Sequence, residues 1–145
     1  MPSVSRHSRD TILLVEDNAA DAVLAVETFR ECWPGGRIRH VRDGTAALAH
    51  LRGCLAGGAE LPRLVLLDLN LPGKHGREVL AEIKHDPALA HLPVVVLSTS
   101  NAEQDIRHCY ALHANAYVAK PVELADFQRV AEAIARFWLE VVEPA

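Results

Sequence analysis

The sequence contains no apolar run near the roughly 20 residues that a bilayer-spanning helix needs, and its first ten residues, Met-Pro-Ser-Val-Ser-Arg-His-Ser-Arg-Asp, lack an apolar signal region. No membrane association is expected, and the cytoplasm is the expected compartment. Cysteine is sparse. Cys32, Cys54 and Cys109 are odd in number and lack Cys-x-x-Cys spacing, which argues against a disulfide framework or a thiolate metal site and fits a reducing compartment. Each reads as a small apolar side chain. The eight histidines form no His-x-x-x-His pair and no Cys/His cluster, so surface and cap positions are expected for them. Basic charge is neither dominant nor banked: 15 Lys and Arg against 19 Asp and Glu leave a net charge of -4. Such a chain has no sequence-independent attraction to nucleic acid, and no nucleic-acid partner is expected.

What remains is one domain of ordinary size, 145 residues of which half are apolar. Residues 1–10 read as a loose polar tail, and residues 11–145 as the folded domain. Its centre is Leu64-Val-Leu-Leu67, a strand buried on both faces, with Asp68 the first group after it that can carry charge. A carboxylate is costly in a core but tolerable at the carboxyl edge of a parallel sheet, where such sheets place their ligands. A second buried strand, Thr11-Ile-Leu-Leu-Val15, also ends on acids, Glu16-Asp17.

Residues 19–33 carry Ala22, Val26, Phe29 and Trp33 at helical spacing, with Asn18 as N-cap and Pro34-Gly35-Gly36 as stop. Arg37–Val41 alternates like a strand nearer the sheet edge. Asp43-Gly44 opens a helix holding Ala46, Ala47, Leu48 and Leu51, and residues 53–62, with Gly57-Gly58, read as a long loop. Gly73-Lys-His-Gly76 is a turn. A helix over residues 77–85 follows, with Val79, Leu80 and Ile83 inward, stopped by Asp86-Pro87. Val94-Val-Val-Leu97 is a fourth strand ending on Ser98-Thr-Ser100. Asn101 is the expected cap of a helix over residues 102–112, and Ala116–Ala119 is a short fifth strand ending on Lys120-Pro121. A last helix, residues 124–142, shows a stripe of Leu124, Phe127, Val130, Ala131, Ile134, Phe137, Trp138 and Val141.

Strands alternating with helices predict an α/β fold: a doubly wound, five-stranded parallel sheet with helices on both faces. Glu16, Asp17, Asp68, Ser98 and Lys120 then arrive at one edge. Three carboxylates there repel one another unless a cation neutralises them, and a hard divalent ion such as Mg²⁺ would leave coordination positions for phosphoryl oxygens. Lys120 and Ser98 would supply charge and a hydroxyl, with Asp68 as nucleophile in phosphoryl transfer.

Glu16-Asp17, Asp68 with Asn70 and Pro72, Ser98-Thr99, Tyr117 and Lys120-Pro121, in this order and each near a strand end, resemble the receiver domain of two-component response regulators, a flavodoxin-like fold. The resemblance spans residues 10–142. It implies that Asp68 accepts a phosphoryl group from the phosphohistidine of a sensor histidine kinase. It also implies that Asp17, Asp68 and the backbone carbonyl of Asn70 hold Mg²⁺, with Glu16 acting through a bound water. Ser98 and Lys120 would grip the phosphoryl group, and Tyr117 would turn inward as Ser98 moves. Ser98 stands where the family more often has Thr, and both carry the hydroxyl. Ser100 and Asn70 border the path of attacking water and are expected to tune the phosphoryl lifetime.

The stretches Asp68-Leu-Asn-Leu-Pro-Gly-Lys-His-Gly-Arg-Glu-Val-Leu80 and Val94-Val-Val-Leu-Ser-Thr-Ser100, with the long loop over residues 53–62 and the long last helix, resemble single-domain regulators paired with bacterial phytochrome kinases. That narrower likeness implies a homodimer through the fourth helix, fifth strand and fifth helix, with output through a further protein not identified by the sequence. It agrees with an apolar surplus at the chain's end, where Phe137, Trp138, Leu139 and Val142 are the interface candidates. Taken singly, Asp68 reads as a cap, Glu16-Asp17 as a helix opening, Lys120 as a solvated turn and Tyr117 as packing. Their convergence favours function. A phosphatase of the haloacid-dehalogenase pattern needs Asp-x-Asp, and Asn70 fills its second position with a side chain that exchanges no proton. An adaptor that keeps the fold without phosphorylation would be preferred only if Asp68, Asp17 or Lys120 were missing.

Overall fold

The continuous apolar runs pair into one sheet because a strand covered on both faces needs no alternation to bury itself. The computed structural model describes residues 11–141. Its five strands are β1 (Thr11–Val15), β2 (Arg37–Val41), β3 (Leu64–Leu67), β4 (Val94–Ser98) and β5 (Ala116–Ala119), all parallel in the order β2-β1-β3-β4-β5. Val15 lies opposite both Val41 and Leu67, Leu67 lies opposite Val96, and Ser98 opposite Ala119, so the strands run out together. The alternating β2 is an edge strand, as its pattern predicts.

Side chains of alternate residues fill two cores. Leu13, Val15, Val65, Leu67, Val94 and Val96 face the helices α2 (Gly44–Gly57), α3 (Gly76–His85) and α4 (Glu103–Ala111). Ile12, Leu14, Leu64, Leu66, Val95 and Leu97 face α1 (Ala19–Cys32) and α5 (Leu124–Ile134). The doubly wound expectation holds. At the edge away from the acids, Lys84 Nζ donates to the carbonyl oxygens of Ala90 and Leu92 and to Asn115 Oδ1, which ties the ends of α3 and α4 to the start of β4.

Several boundaries differ from the expectations. The long loop over residues 53–62 is shorter, because α2 runs to Gly57: Leu51 and Cys54 continue its buried face, and Gly58, at φ 70°, closes it in the left-handed conformation. Asn101 does not cap α4. Ala102 is the capping residue and makes no side-chain cap bond, while the preceding loop is held by Ser100, whose Oγ accepts from the Ala102 N–H at 3.3 Å.

The largest correction concerns the last helix. After Ile134 the chain continues as a π-helix, Ala135–Val141, with more residues per turn than an α-helix. The inward position therefore slips from the α-helical phase: Leu139 is 5% exposed and packs with Ile134 and Ala135, whereas Phe137 is 51% exposed and Leu124 is also exposed. Trp138 is half-buried and meets Phe137 edge to face at 5.1 Å. Of the four interface candidates, Leu139 is thus core rather than surface, and Val142 lies outside the described residues, as does the expected tail at residues 1–10.

Candidate functional site

The parallel ladder continues one step past the strands and fixes where the charged side chains begin. The Glu16 N–H donates to the Val41 carbonyl at 3.1 Å, the Asp68 N–H to the Val15 carbonyl at 3.1 Å, and the Lys120 N–H to the Ser98 carbonyl at 2.6 Å. Each residue follows an apolar strand, so the same hydrophobic burial that aligns the strands delivers two acids and an amine to one edge.

Lys120 occupies the middle of this edge. Its Nζ lies 2.6 Å from Glu16 Oε1, 3.1 Å from Asp21 Oδ2 and 3.7 Å from Asp68 Oδ2. The first two are hydrogen bonds and the third is a charge contact. The Lys120 and Glu16 side chains are only 7% and 5% exposed, so the pair is a buried one. Burial pushes the Glu16 carboxyl above its usual range, against the pull of Lys120 and of the Asn18 N–H on Oε2, and Asp68 adds repulsion. Burial works against the Lys120 ammonium too, but its hydrogen bond to Glu16 and the charge of Asp68 outweigh it, so the ammonium is held more firmly than usual. Within the chain Lys120 offsets part of the acidic charge, that of Glu16 and Asp68, and leaves Asp17 unpaired among the described residues.

Asp68 is 8% exposed. Its carboxylate nevertheless accepts a single long hydrogen bond among the described residues, from the Asn70 N–H to Oδ1 at 3.3 Å. A carboxylate offers about four acceptor positions, and a buried one normally fills more of them. Asp17, half-buried beyond the end of β1, makes no hydrogen bond or ion pair among the described residues.

Among the described residues no three His, Cys, Asp or Glu side chains converge into a ready-made metal site. The expected donor set needs only two, Asp17 and Asp68, with the Asn70 carbonyl and waters, and these hard oxygens with free acceptor capacity suit a divalent ion. Each Glu16 oxygen already accepts one hydrogen bond, from the Asn18 N–H and from Lys120, so Glu16 is more heavily engaged than Asp17 or Asp68.

Ser98 is fully buried, and its Oγ accepts from the Ser100 N–H at 3.1 Å. Tyr117, half-buried, donates its hydroxyl to the Ser100 carbonyl at 2.7 Å, and Ser100 Oγ donates to Asp105 Oδ2 at 2.6 Å. Ser98 and Tyr117 are thus brought together through Ser100, and the loop after β4 is held from β5 and α4 at once.

Three participants were not read from the sequence: Asp21 on Lys120, Asp105 on Ser100, and His40, whose Nε2 donates to the Glu16 carbonyl at 2.8 Å. Only Asp21 left a signal, an acid in the first turn of α1 beside the Glu16-Asp17 pair.

A family model, the response regulator receiver domain, matches residues 12–132. The chain belongs to this family. Among the receiver's relatives, the probable methanogenesis regulatory protein FilR2 of Methanothrix harundinacea is 48% identical over 128 residues, 88% of this chain and 83% of that protein. Response regulator Rcp1 of Synechocystis is 47% identical over 134 residues, 90% of each chain. A structure of the Mn²⁺-bound form of response regulator Rcp1 superposes with a TM-score of 0.86 and 44% identity over 94% of this chain and 99% of that one. The phosphorylated cyanobacterial phytochrome response regulator RcpA superposes with a TM-score of 0.87 and 47% identity, covering 93% of this receiver and 97% of RcpA. The receiver therefore resembles the phytochrome response regulators within its family, in sequence and in fold.

Proposed function

We propose that this receiver takes a phosphoryl group onto Asp68 from the phosphohistidine of a sensor histidine kinase, with Mg²⁺ as its metal, and relays the change by protein contact. The observation that carries the reading is the buried, under-bonded Asp68 carboxylate with the Lys120 ammonium 3.7 Å away. An Asp68 oxygen attacks phosphorus as the P–N bond breaks, and the bonding pair returns to the departing imidazole nitrogen. When bound by Asp17, Asp68 and the Asn70 carbonyl, the metal supplies positive charge to the phosphoryl oxygens. Lys120 moves from shared carboxylates toward the new anion, Ser98 donates its hydroxyl to a phosphoryl oxygen, and Tyr117 follows inward as Ser100 is drawn away. Chemistry is confined to the receiver's own phosphorylation and dephosphorylation.

The likeness to RcpA, a phytochrome response regulator, supports a phytochrome-type kinase as donor. Manganese in the Rcp1 structure supports a divalent ion, for which Mg²⁺ is the biological choice proposed here. The cytoplasm is the proposed compartment, and among the described residues no helix is long and apolar enough to cross a membrane. Incubation with acetyl phosphate and Mg²⁺ is expected to add one phosphoryl mass to the wild type and none to Asp68→Asn. An unmodified wild type, or an Asp68→Asn variant modified equally, would overturn the assignment.

A homodimer is proposed with the exposed Phe137 and the half-buried Trp138 in its interface. Light scattering coupled to size exclusion is expected to give twice the chain mass, lowered toward one chain in Phe137→Glu. A charge at Leu139 would not test this, because that side chain is part of the core.

A further inference from the structure

The Asp21 carboxylate has turned away from the task its position offers. It is the third helical residue after the N-cap Asn18, the place from which an acid ordinarily reaches back to the cap's N–H in a capping box. Here the Asn18 N–H donates instead to Glu16 Oε2 at 3.1 Å, while the Asn18 side chain still accepts from the Asp21 N–H at 2.9 Å. The helix start is therefore completed without the Asp21 side chain, which lies on Lys120 Nζ at 3.1 Å. The Asp21 side chain is also the most solvent-accessible of the lysine's three acidic partners, 37% exposed against 5% for the Glu16 side chain and 10% for that of Asp68.

We propose that Asp21 is a positioning residue that competes with the phosphoryl group for Lys120, holding the amine off the acceptor until phosphorylation draws it across. The inference rests on the Asp68 reading above. Lys120 carries three donor hydrogens and now serves two hydrogen-bonded carboxylates, standing 0.6 Å farther from Asp68 than from Asp21 by the difference of 3.7 and 3.1 Å. When Asp68 gains a doubly charged group, that charge draws the amine across the 3.7 Å gap and so away from one of its two present partners. Asp21 is the one it leaves at least cost, since its carboxylate returns to water while that of Glu16 would stay buried and unpaired. The competition favours the unphosphorylated state, so it sets a weaker grip on the anion and a shorter phosphoryl lifetime than the same site would have without it.

The test is a titration of Mg²⁺-loaded protein with beryllofluoride, a phosphoryl mimic, followed by fluorine NMR, together with acid-quench measurement of aspartyl-phosphate loss. Asp21→Asn and Asp21→Ala are expected to bind the mimic about threefold more tightly and to lose phosphate about threefold more slowly, the range of a partly exposed ion pair. Asp21→Glu, which keeps the carboxylate, is expected to behave as wild type. A purely structural role at the helix start would move the melting temperature of the neutral variants and leave mimic affinity unchanged. Unchanged or weaker binding in both neutral variants overturns the inference. Absence of mimic binding by the wild type overturns instead the Asp68 reading on which it rests.

Discussion

Lys120→Met is expected to cost about 3 kcal/mol of stability near neutral pH, because it leaves a buried carboxylate without its counter-charge. The Glu16 side chain is 5% exposed and its Oε1 has Lys120 as its only side-chain partner among the described residues, so the substitution strands a charge that water barely reaches. For a chain of this length that loss corresponds to a fall of roughly 10 °C in melting temperature. The pH dependence has a definite sign. Burial already raises the Glu16 carboxyl above its ordinary value of 4.5, and removing the lysine raises it further. A group whose folded-state value is raised contributes its full stability below the unfolded value and loses it as pH rises through the folded one. The gap between variant and wild type is therefore expected to be widest near neutrality and to close on acidification. Mg²⁺ should narrow it as well, by replacing part of the missing charge. Urea unfolding at acid and neutral pH, with and without Mg²⁺, measures all of this. A gap independent of pH would mean that Glu16 is not the group left exposed to the penalty.

Gly76→Ala is expected to lose about 3 kcal/mol, as overpacking against unyielding backbone does, and to slow phosphorylation of Asp68. Gly76 begins α3, and its N–H donates to the Leu69 carbonyl at 2.9 Å. A methyl group there would overlap the Asp68 carbonyl oxygen and the Leu69 Cα, both main-chain atoms that cannot swing aside. The helix would have to retreat or the acceptor backbone give way. Gly73, three residues earlier in the same turn, is the control: it has open space but φ 69°, so Gly73→Ala pays only the left-handed backbone penalty of about 1–2 kcal/mol and leaves the acceptor where it is. Rates of labelling by acetyl phosphate, compared with melting temperatures, separate the two glycines. Equal labelling rates in both variants would show that α3 does not press on the acceptor.

The edge of the sheet was readable because each element of it follows from burial alone. A strand such as Leu64–Leu67 has no face to offer water, so the first charged residue after it must stand at an end, and parallel pairing puts all such ends together. The partners of those charges were not readable in the same way. An acid at position 21 looks like any acid in a first helical turn, and whether it caps the helix or reaches a lysine 99 residues away depends on an angle that spacing does not encode. The division of the final stripe into core and surface failed for a related reason. Periodicity assumes one number of residues per turn, and Ala135–Val141 departs from it, which put Leu139 inside and Phe137 outside. Gly53 misled the reading of α2 because a glycine suggests a break, yet in an exposed helical position it costs only about 1 kcal/mol, and the buried Leu51 and Cys54 on either side offset that.

The widened final turns carry an evolutionary corollary. A π-helical segment behaves as a helix that has taken in one residue without disturbing what lies before it. Losing the codon of the exposed Arg136 would return the segment to ordinary winding, place Leu139 four positions after Ile134, and move both aromatic rings back by one position. The outer surface at this end of the receiver is thus open to change by insertion or deletion, with the charged edge at the opposite ends of the strands left intact.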